Sequence, residues 1–467
     1  MTTAPTDFSA AEAAQLLGSA ALSAVELAEF YLRRIEDLNS SCNAVLAIAP
    51  DVLTAAREAD GRRRSGLLRG SLDGVPVLIK DNIEAAGLPG TAGSRALANS
   101  PVSVDAPLVA RLRAAGLIVL GSTNLSEWAN FRSTNSTSGW SAMGGQVRNP
   151  QDLQRNPSGS SSGSAAAIAA GLAPLAVGTE TDGSIVSPAG MCGLVGFKPT
   201  VGTVPGAGIV PISPVQDTAG PMTRTVADAA LLYRALAGLS VSAEARSLAG
   251  VRVAVWTPGG TTNALAAVLA EVSERLRVAG AVAVPVSLPA AEEPAGPFAN
   301  AEFDALVGEF AVALPAYLAA RPGPHPRTWP ELLSFNRADD VELSQFSDEI
   351  FALAAAADPA HATAARAACT AESERDLAAV LGDCAFAVTI TNGPAGVISY
   401  GRSEHEAVSI SSLCAVTGAP SITLPGFRVG GLPVGISLLG SRDSDLELLS
   451  WAAAVEAVLP EVTWPEP

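Results

Sequence analysis

Short β-branched runs alternate with alanine-rich helical stretches along most of this chain, and no other feature restricts the fold as much. "GVPVLIKDNI" (74–83) reads as a buried strand with Lys80 at its tip. "APLVARLRAAGLIVLGSTN" (106–124) reads as a helix then a strand, and "SAAAIAAGLAPLAVGT" (164–179) repeats that order. The helix "TVADAALLYRALAG" (225–238) and the strand "GVRVAVWTP" (250–258) continue it, and "FAVTITNG", "SITLPG" and "LPVGISLLG" return to strand after 385. Strands joined through helices cannot close as tight hairpins, so α/β layering is expected. Apolar spacing over 8–38 predicts two opening helices with Ser9 and Ser23 as N-caps, and a third helix follows around 50–60. Between about 285 and 380 the pattern loosens into alanine- and proline-rich helical pieces. No repeat or linker divides the chain. The expectation is one large α/β domain whose central, mixed, mostly parallel twisted sheet is covered by helices. Its parts are N-terminal helices over 1–65, a core over 66–240, a variable helical region over 240–380, and a return to the sheet over 381–467.

Composition narrows the function. Hydrophobic residues at 48% and charged residues at 16% exclude wholesale disorder. A net charge of −17 repels phosphate backbones and anionic lipid, so neither nucleic acid nor membrane is an expected partner. The one basic cluster, "GRRRSGLLRG" (61–70), reads as a solvated turn. Cys42, Cys192, Cys369, Cys384 and Cys414 show neither disulfide nor zinc spacing. "MTTAPTDFSAAEAAQ" lacks a signal-like basic start and apolar run, and no uninterrupted apolar run reaches about 18 residues. A cytoplasmic protein without a spanning helix is expected.

Two serine-rich segments compete for chemistry. "GSSSG" (159–163) matches a nucleophile elbow centred on Ser161, but such an elbow follows directly on a strand, whereas Ser161 follows the polar "NPQDLQRNPSG". Ser184, in "GTETDGSIVSPAGMCG" (178–193), follows an apolar run and sits among short side chains that leave backbone N–H groups open, as an oxyanion hole requires. A base must then be found. His325, His361 and His405 lie in proline-rich or polar stretches and read as surface residues, in no metal-site spacing. The chain has only two lysines, Lys80 and Lys198. A lysine in apolar surroundings loses its charge and becomes a base, which arginine cannot do. From the residues alone, Lys80 is either such a base or the structural partner of Asp81 or another acid.

The run "GSSSGSAAAIAAGLAPLAVGTETDGSIVSPAGMCGLVGFKPTVG" (159–202) resembles the glycine- and serine-rich signature of the amidase signature family. "LDGVPVLIKDNI", "GSTNLSEWANF", "QDTAGPMTRTVADAALL" and "LPVGISLLG" are similar to it as well, so the resemblance spans the chain outside about 240–380. It implies the amidase signature fold and a triad without histidine. Ser184 would be the nucleophile, Ser160 a relay serine in a cis peptide after Gly159, and Lys80 the base. Ser161 would become a hydrogen-bonding neighbour, and the N–H groups of Thr181, Asp182, Gly183 and Ser184 the oxyanion hole. An acyl-enzyme hydrolysed by water follows, with no cofactor or metal.

"STSGWSAMGGQVRNP" (136–150) and "GTETDGSI" are most similar to the peptide amidase branch, which implies C-terminal amides of peptides or amino-acid amides as substrate, with release of ammonia. Alternatives are an amidase of aryl or fatty acyl amides, the amidase component of a tRNA-dependent amidotransferase complex, or a binding protein that keeps the fold without catalysis. The expected partner is a small-molecule or peptide amide, acting on a monomer or homodimer. The chain departs from many members at Ser158, Ser162 and Asp182, where glycine is common. Val186 and Ser187 stand where an arginine is frequent, which disfavours small dicarboxylate-like acyl groups.

Overall fold

A computed structural model describes residues 8–240, 246–288, 297–402 and 408–464. Among the described residues, thirteen strands follow in chain order: β1 (Val45–Ile48), β2 (Pro76–Lys80), β3 (Ile118–Thr123), β4 (Trp140–Ser141), β5 (Gly145–Gln146), β6 (Ala176–Glu180), β7 (Val195–Lys198), β8 (Thr218–Thr223), β9 (Arg252–Trp256), β10 (Val282–Val286), β11 (Phe386–Ile390), β12 (Ser421–Val429) and β13 (Leu432–Leu439). β4 and β5 pair as a small ribbon, and the other eleven form one mixed sheet in the order β1-β3-β2-β6-β8-β7-β12-β13-β11-β9-β10. Parallel pairs join β3 to β2 to β6 and β11 to β9 to β10. Antiparallel pairs link β6 through β8, β7, β12 and β13 to β11, and β1 closes one edge antiparallel to β3.

The strands β2, β3, β6, β7, β8 and β11 are buried along their whole length, which is why β2, β3 and β11 read as continuous apolar runs rather than alternations. Parallel pairing of Ile79 with Val177 sets the ends of β2 and β6 side by side. That register fixes the place where Lys80 can meet the segment after β6.

The opening helices are Ala10–Gly18 and Ala24–Cys42, and Ser9 and Ser23 cap them in reciprocal capping boxes with Glu12 and Glu26. The basic cluster is a helix end rather than a turn. Arg62, Arg63 and Arg64 close the helix Val52–Arg64, where cations meet the carbonyl end, and Arg62 makes a two-pronged bond to the buried Asp73 at 3.1 and 2.6 Å. Three strands carry no clear sequence signal. β1 is only four residues long, β10 is half-exposed, and β8 contains Pro221 in the middle of the sheet.

The region over 240–380 is mainly helical, with helices Pro297–Ala320, Trp329–Ala338, Glu349–Ala355 and Pro359–Leu381. Phe310, Trp329 and Phe351 form their own cluster, and Trp128 of the core packs edge-on against Phe351 at 5.6 Å. A buried ion group ties the same two regions. Arg132 pairs with Glu127 and with Glu342, and its guanidinium lies 4.3 Å from the Phe346 ring centre. Residues Ala301–Ala320 are long and apolar enough to cross a membrane, with a mean hydropathy of 1.4, although Glu302, Asp304 and Glu309 interrupt the apolar run. The helix owes this to its packing, for Leu306, Val307, Phe310, Leu314 and Leu318 are buried under its neighbours. All five cysteines are free.

The helix Ser162–Ala169 presses into the strand layer at Gly163, where an added methyl would collide with the backbone oxygens of Asn124 and Ala44. Backbone cannot yield as a side-chain tip does. Gly163→Ala should therefore destabilise the protein by roughly 1–3 kcal/mol, the usual range for overpacking. The check is a lower denaturant midpoint with an unchanged slope.

Candidate active site

Lys80, the last residue of β2, is completely buried, and its three polar neighbours are all uncharged. Nζ lies 2.8 Å from Ser160 Oγ, 2.8 Å from Thr179 Oγ1 and 3.3 Å from the Thr179 carbonyl oxygen. Asp81, the obvious ion-pair candidate, is turned the other way and accepts from the N–H groups of Gly90 and Thr91 and from the Thr91 hydroxyl. Burial pushes the Lys80 ammonium down to about 7, against the weaker pull of the Glu180 and Asp217 charges. A neutral amine has two N–H bonds and one lone pair. The Thr179 carbonyl can only accept, the Thr179 hydroxyl takes the second N–H beside one from Asn82 Nδ2 at 2.9 Å, and the lone pair is left for the Ser160 hydroxyl.

Ser160 is held from behind. The Gly159–Ser160 peptide is cis, and the Ser160 carbonyl accepts from Ser126 N–H at 3.1 Å. Only glycine fits at 159, because a Cβ there would run into Ser126 Oγ. Ser161 is fully buried and occupied. Its hydroxyl donates to the Thr179 carbonyl at 3.0 Å and accepts from Thr179 N–H at 3.1 Å, so it locks the serine segment onto β6. Its own N–H donates to the Ser184 carbonyl at 3.2 Å. The elbow reading of Ser161 has no free hydroxyl to work with.

Ser184 stands at the end of the turn Thr181–Ser184, between β6 and the helix Val186–Cys192. With 8% exposure it is the accessible serine, whereas Ser160 and Ser161 have none. Glu180 shapes this turn from below, accepting from Ile185 N–H at 2.7 Å and Val186 N–H at 3.0 Å. Thr181 donates its hydroxyl to Asp217 at 2.6 Å and receives Gln216 Nε2 on its carbonyl at 3.1 Å. Asp182 accepts from Ser412 Oγ at 2.8 Å. Gly183 has φ 81°, and a Cβ there would meet Ser411 Oγ at 2.9 Å, so the turn needs glycine on two counts. Among the described residues, no backbone carbonyl accepts from the N–H of Asp182, Gly183 or Ser184. These donors are available to an anion.

The other sequence candidates lie apart. Lys198 is buried at the end of β7, donates to the Pro199 carbonyl at 3.2 Å, and is pushed down by burial. Its charge is felt by Glu180, which makes it a support of the turn rather than a base for a serine. His361 is exposed and bonded to Asp304 at 2.9 Å. His325 is half-buried rather than a surface residue, held between Ser100 Oγ at 3.0 Å and the Leu318 carbonyl at 2.9 Å. His405 lies outside the described residues. Among the described residues, no group of three or more His, Cys, Asp and Glu side chains is placed to hold a metal ion. Thr179, Asn82, Glu180, Gln216 and Asp217 escaped the residue-by-residue reading, although Thr179 and Glu180 stand inside the quoted "GTETDG".

A buried lysine is thus bonded to Ser160, and the serine segment is joined through Ser161 to the turn whose N–H groups stand open. Residues 26–303 match the family model described as Amidase. The chain is 36% identical over 458 residues to an Arabidopsis thaliana protein described as a probable amidase, covering 93% of this chain and 86% of that one. It superposes on the native peptide amidase of Stenotrophomonas maltophilia with a TM-score of 0.88 and 40% identity, covering 98% of this chain and 97% of that one. It is also 34% identical to one subunit of the glutamyl-tRNA(Gln) amidotransferase of Symbiobacterium thermophilum, with 96% of each chain covered. The chain belongs to the amidase family and is a hydrolase of amide C–N bonds.

The Lys80 geometry sets a pH dependence. If the amine must be neutral to accept a proton, kcat/KM is full above about 7 and falls with acidification, about tenfold per pH unit, as the amine protonates. Lys80→Met, which keeps the apolar stem but has no amine to take a proton, should be folded by circular dichroism and inactive across the profile.

Proposed function

We propose that this enzyme removes the C-terminal amide of peptides or amino-acid amides through Lys80, Ser160 and Ser184. The observation that carries the reading is the uncharged surround of Lys80, with Ser160 Oγ 2.8 Å from Nζ. Neutral Lys80 takes the Ser160 proton as Ser160 takes that of Ser184. The Ser184 oxygen attacks the amide carbon, and the oxyanion settles on the N–H groups of the Thr181–Ser184 turn. The relay then runs backwards and protonates the nitrogen, so ammonia rather than amide anion departs. Water, deprotonated by the same relay, releases the acid from the Ser184 ester.

The peptide substrate is supported by the 40% identity to a peptide amidase over nearly the full length of both chains. Neutral or cationic amides are preferred, because the positions after the nucleophile hold no cation. Val186 is apolar, and the Ser187 hydroxyl is engaged with Ser158 Oγ at 2.7 Å and Asn392 Nδ2 at 2.8 Å. The likeness to a component of a glutamyl-tRNA(Gln) amidotransferase favours a second reading, in which the same amide chemistry serves a complex. The two readings part on whether the isolated chain turns over a free peptide amide.

Mass spectrometry of an amidated peptide incubated with the isolated protein should show a gain of about one mass unit, from exchange of NH₂ for OH, and no internal fragments. Turnover of aryl or fatty amides alone would reject the peptide assignment.

Ser184→Ala should lower kcat by roughly 10⁴-fold or more, as expected for loss of a nucleophile. Ser161→Ala removes two buried hydrogen bonds and should destabilise the fold by about 1–3 kcal/mol while retaining far more activity than Ser184→Ala. The reverse order of activities would restore the elbow.

A further inference from the structure

Glu302 lies on the long helix Pro297–Ala320, in the part of the chain that carries no motif, yet it reaches the turn that bears Ser184. It is 5% exposed, and its Oε1 accepts from Gln216 Nε2 at 2.9 Å. The same nitrogen donates to the Thr181 carbonyl at 3.1 Å, so one amide group spans from the helix to the turn. On the other side, Ser412 Oγ donates to Asp182 Oδ2 at 2.8 Å. The Asp182 carboxyl is close enough for its charge to act on Glu302. Among the described residues, Asp182 Oδ1 and Gln216 Oε1 are buried acceptors without a donor.

We infer that Glu302 is a positioning residue for the reaction, which holds the Thr181–Ser184 turn through the Gln216 amide and, together with Asp182, sets the charge that faces that turn. The inference rests on the assignment of that turn as the oxyanion site. Every neighbour matters to the charge balance. From the turn comes Asp182, which raises Glu302 by repulsion; from the segment before β8 come Gln216 and, behind Thr181, Asp217. Ser411 and Ser412 face the pair from the helix Ser411–Val416. The cation felt by Glu302, Arg366 of the helix Pro359–Leu381, spends both guanidinium prongs on Glu309 at 2.7 and 2.8 Å, and Cys369 beside it is neutral, its thiol raised by burial. Glu302 therefore has no full counter-ion. Burial and the Asp182 charge push its carboxyl up to about 8. Ionisation of both carboxyls would place like charges together beside a turn that must receive a further negative charge.

The test is the full pH profile of kcat and KM on a peptide amide, with the whole chain and its E302Q and E302A variants. The wild-type kcat should fall about tenfold from pH 7.5 to pH 9, as one group titrating near 8 loses its proton. Glutamine keeps the acceptor for Gln216 but cannot ionise, so the ratio of kcat at pH 9 to that at pH 7.5 in E302Q should stay within about twofold. In E302A, kcat should fall more than KM rises at every pH. The acidic limb near pH 7 belongs to Lys80 and should persist in E302Q. An alkaline limb that is absent from the wild type or unchanged in E302Q would overturn the inference, as would an E302A effect confined to KM. A missing acidic limb, or an active Lys80→Met, would instead remove the Lys80 assignment, so the two failures are told apart on one profile.

Discussion

The proposed active centre depends on a lysine that is buried without a counter-ion. A charged ammonium enclosed by carbonyls and hydroxyls is poorly solvated, and burial lowers its hold on the proton to about 7 with no carboxylate in contact. The fold keeps the acids at a remove. Asp81 is held by Gly90 and Thr91, Glu180 by the start of the helix after Ser184, and Asp217 by Thr181 and two backbone N–H groups. Each of these carboxylates has its own work, and none takes the lone-pair side of Lys80. The β2–β6 register makes this possible by setting Lys80 beside Thr179, whose carbonyl and hydroxyl occupy the two N–H positions of a neutral amine.

The two strand ends also bring the serines together. Ser161 bonds to both backbone groups of Thr179, so the segment carrying Ser160 is fastened to the strand that leads to Ser184. The Ser161 hydroxyl, which the elbow pattern singles out, is consumed in holding the others. Its burial and two bonds give it a structural use that explains why three serines stand in a row.

The residues proposed to carry the chemistry are more legible in the sequence than their supports. Lys80 and Ser184 stand out in the sequence because lysine is rare here and because Ser184 follows an apolar strand into a run of small residues; Ser160 needed the family resemblance. Gln216, Asp217 and Glu302 give no such signal, since each is an ordinary polar residue whose partners come from segments far along the chain. Glu302 and Gln216 are separated by 86 residues and meet only through tertiary packing. The fold followed the same division. Helices with caps and strongly apolar strands were readable, whereas β8 was hidden by Pro221, and the long helix 301–320 drew its apolar character from a second cluster of aromatic residues that sequence periodicity alone does not locate.

The burial of both lysines also gives the protein an unusual exterior. Lys80 and Lys198 are the whole complement of side-chain amines, and each has no exposed surface. Every basic side chain available to solvent, apart from histidine, is a guanidinium. Reagents that acylate or cross-link surface amines would therefore find no lysine on the folded molecule, and labelling of an ε-amino group would report that the sheet around β2 or β7 had opened.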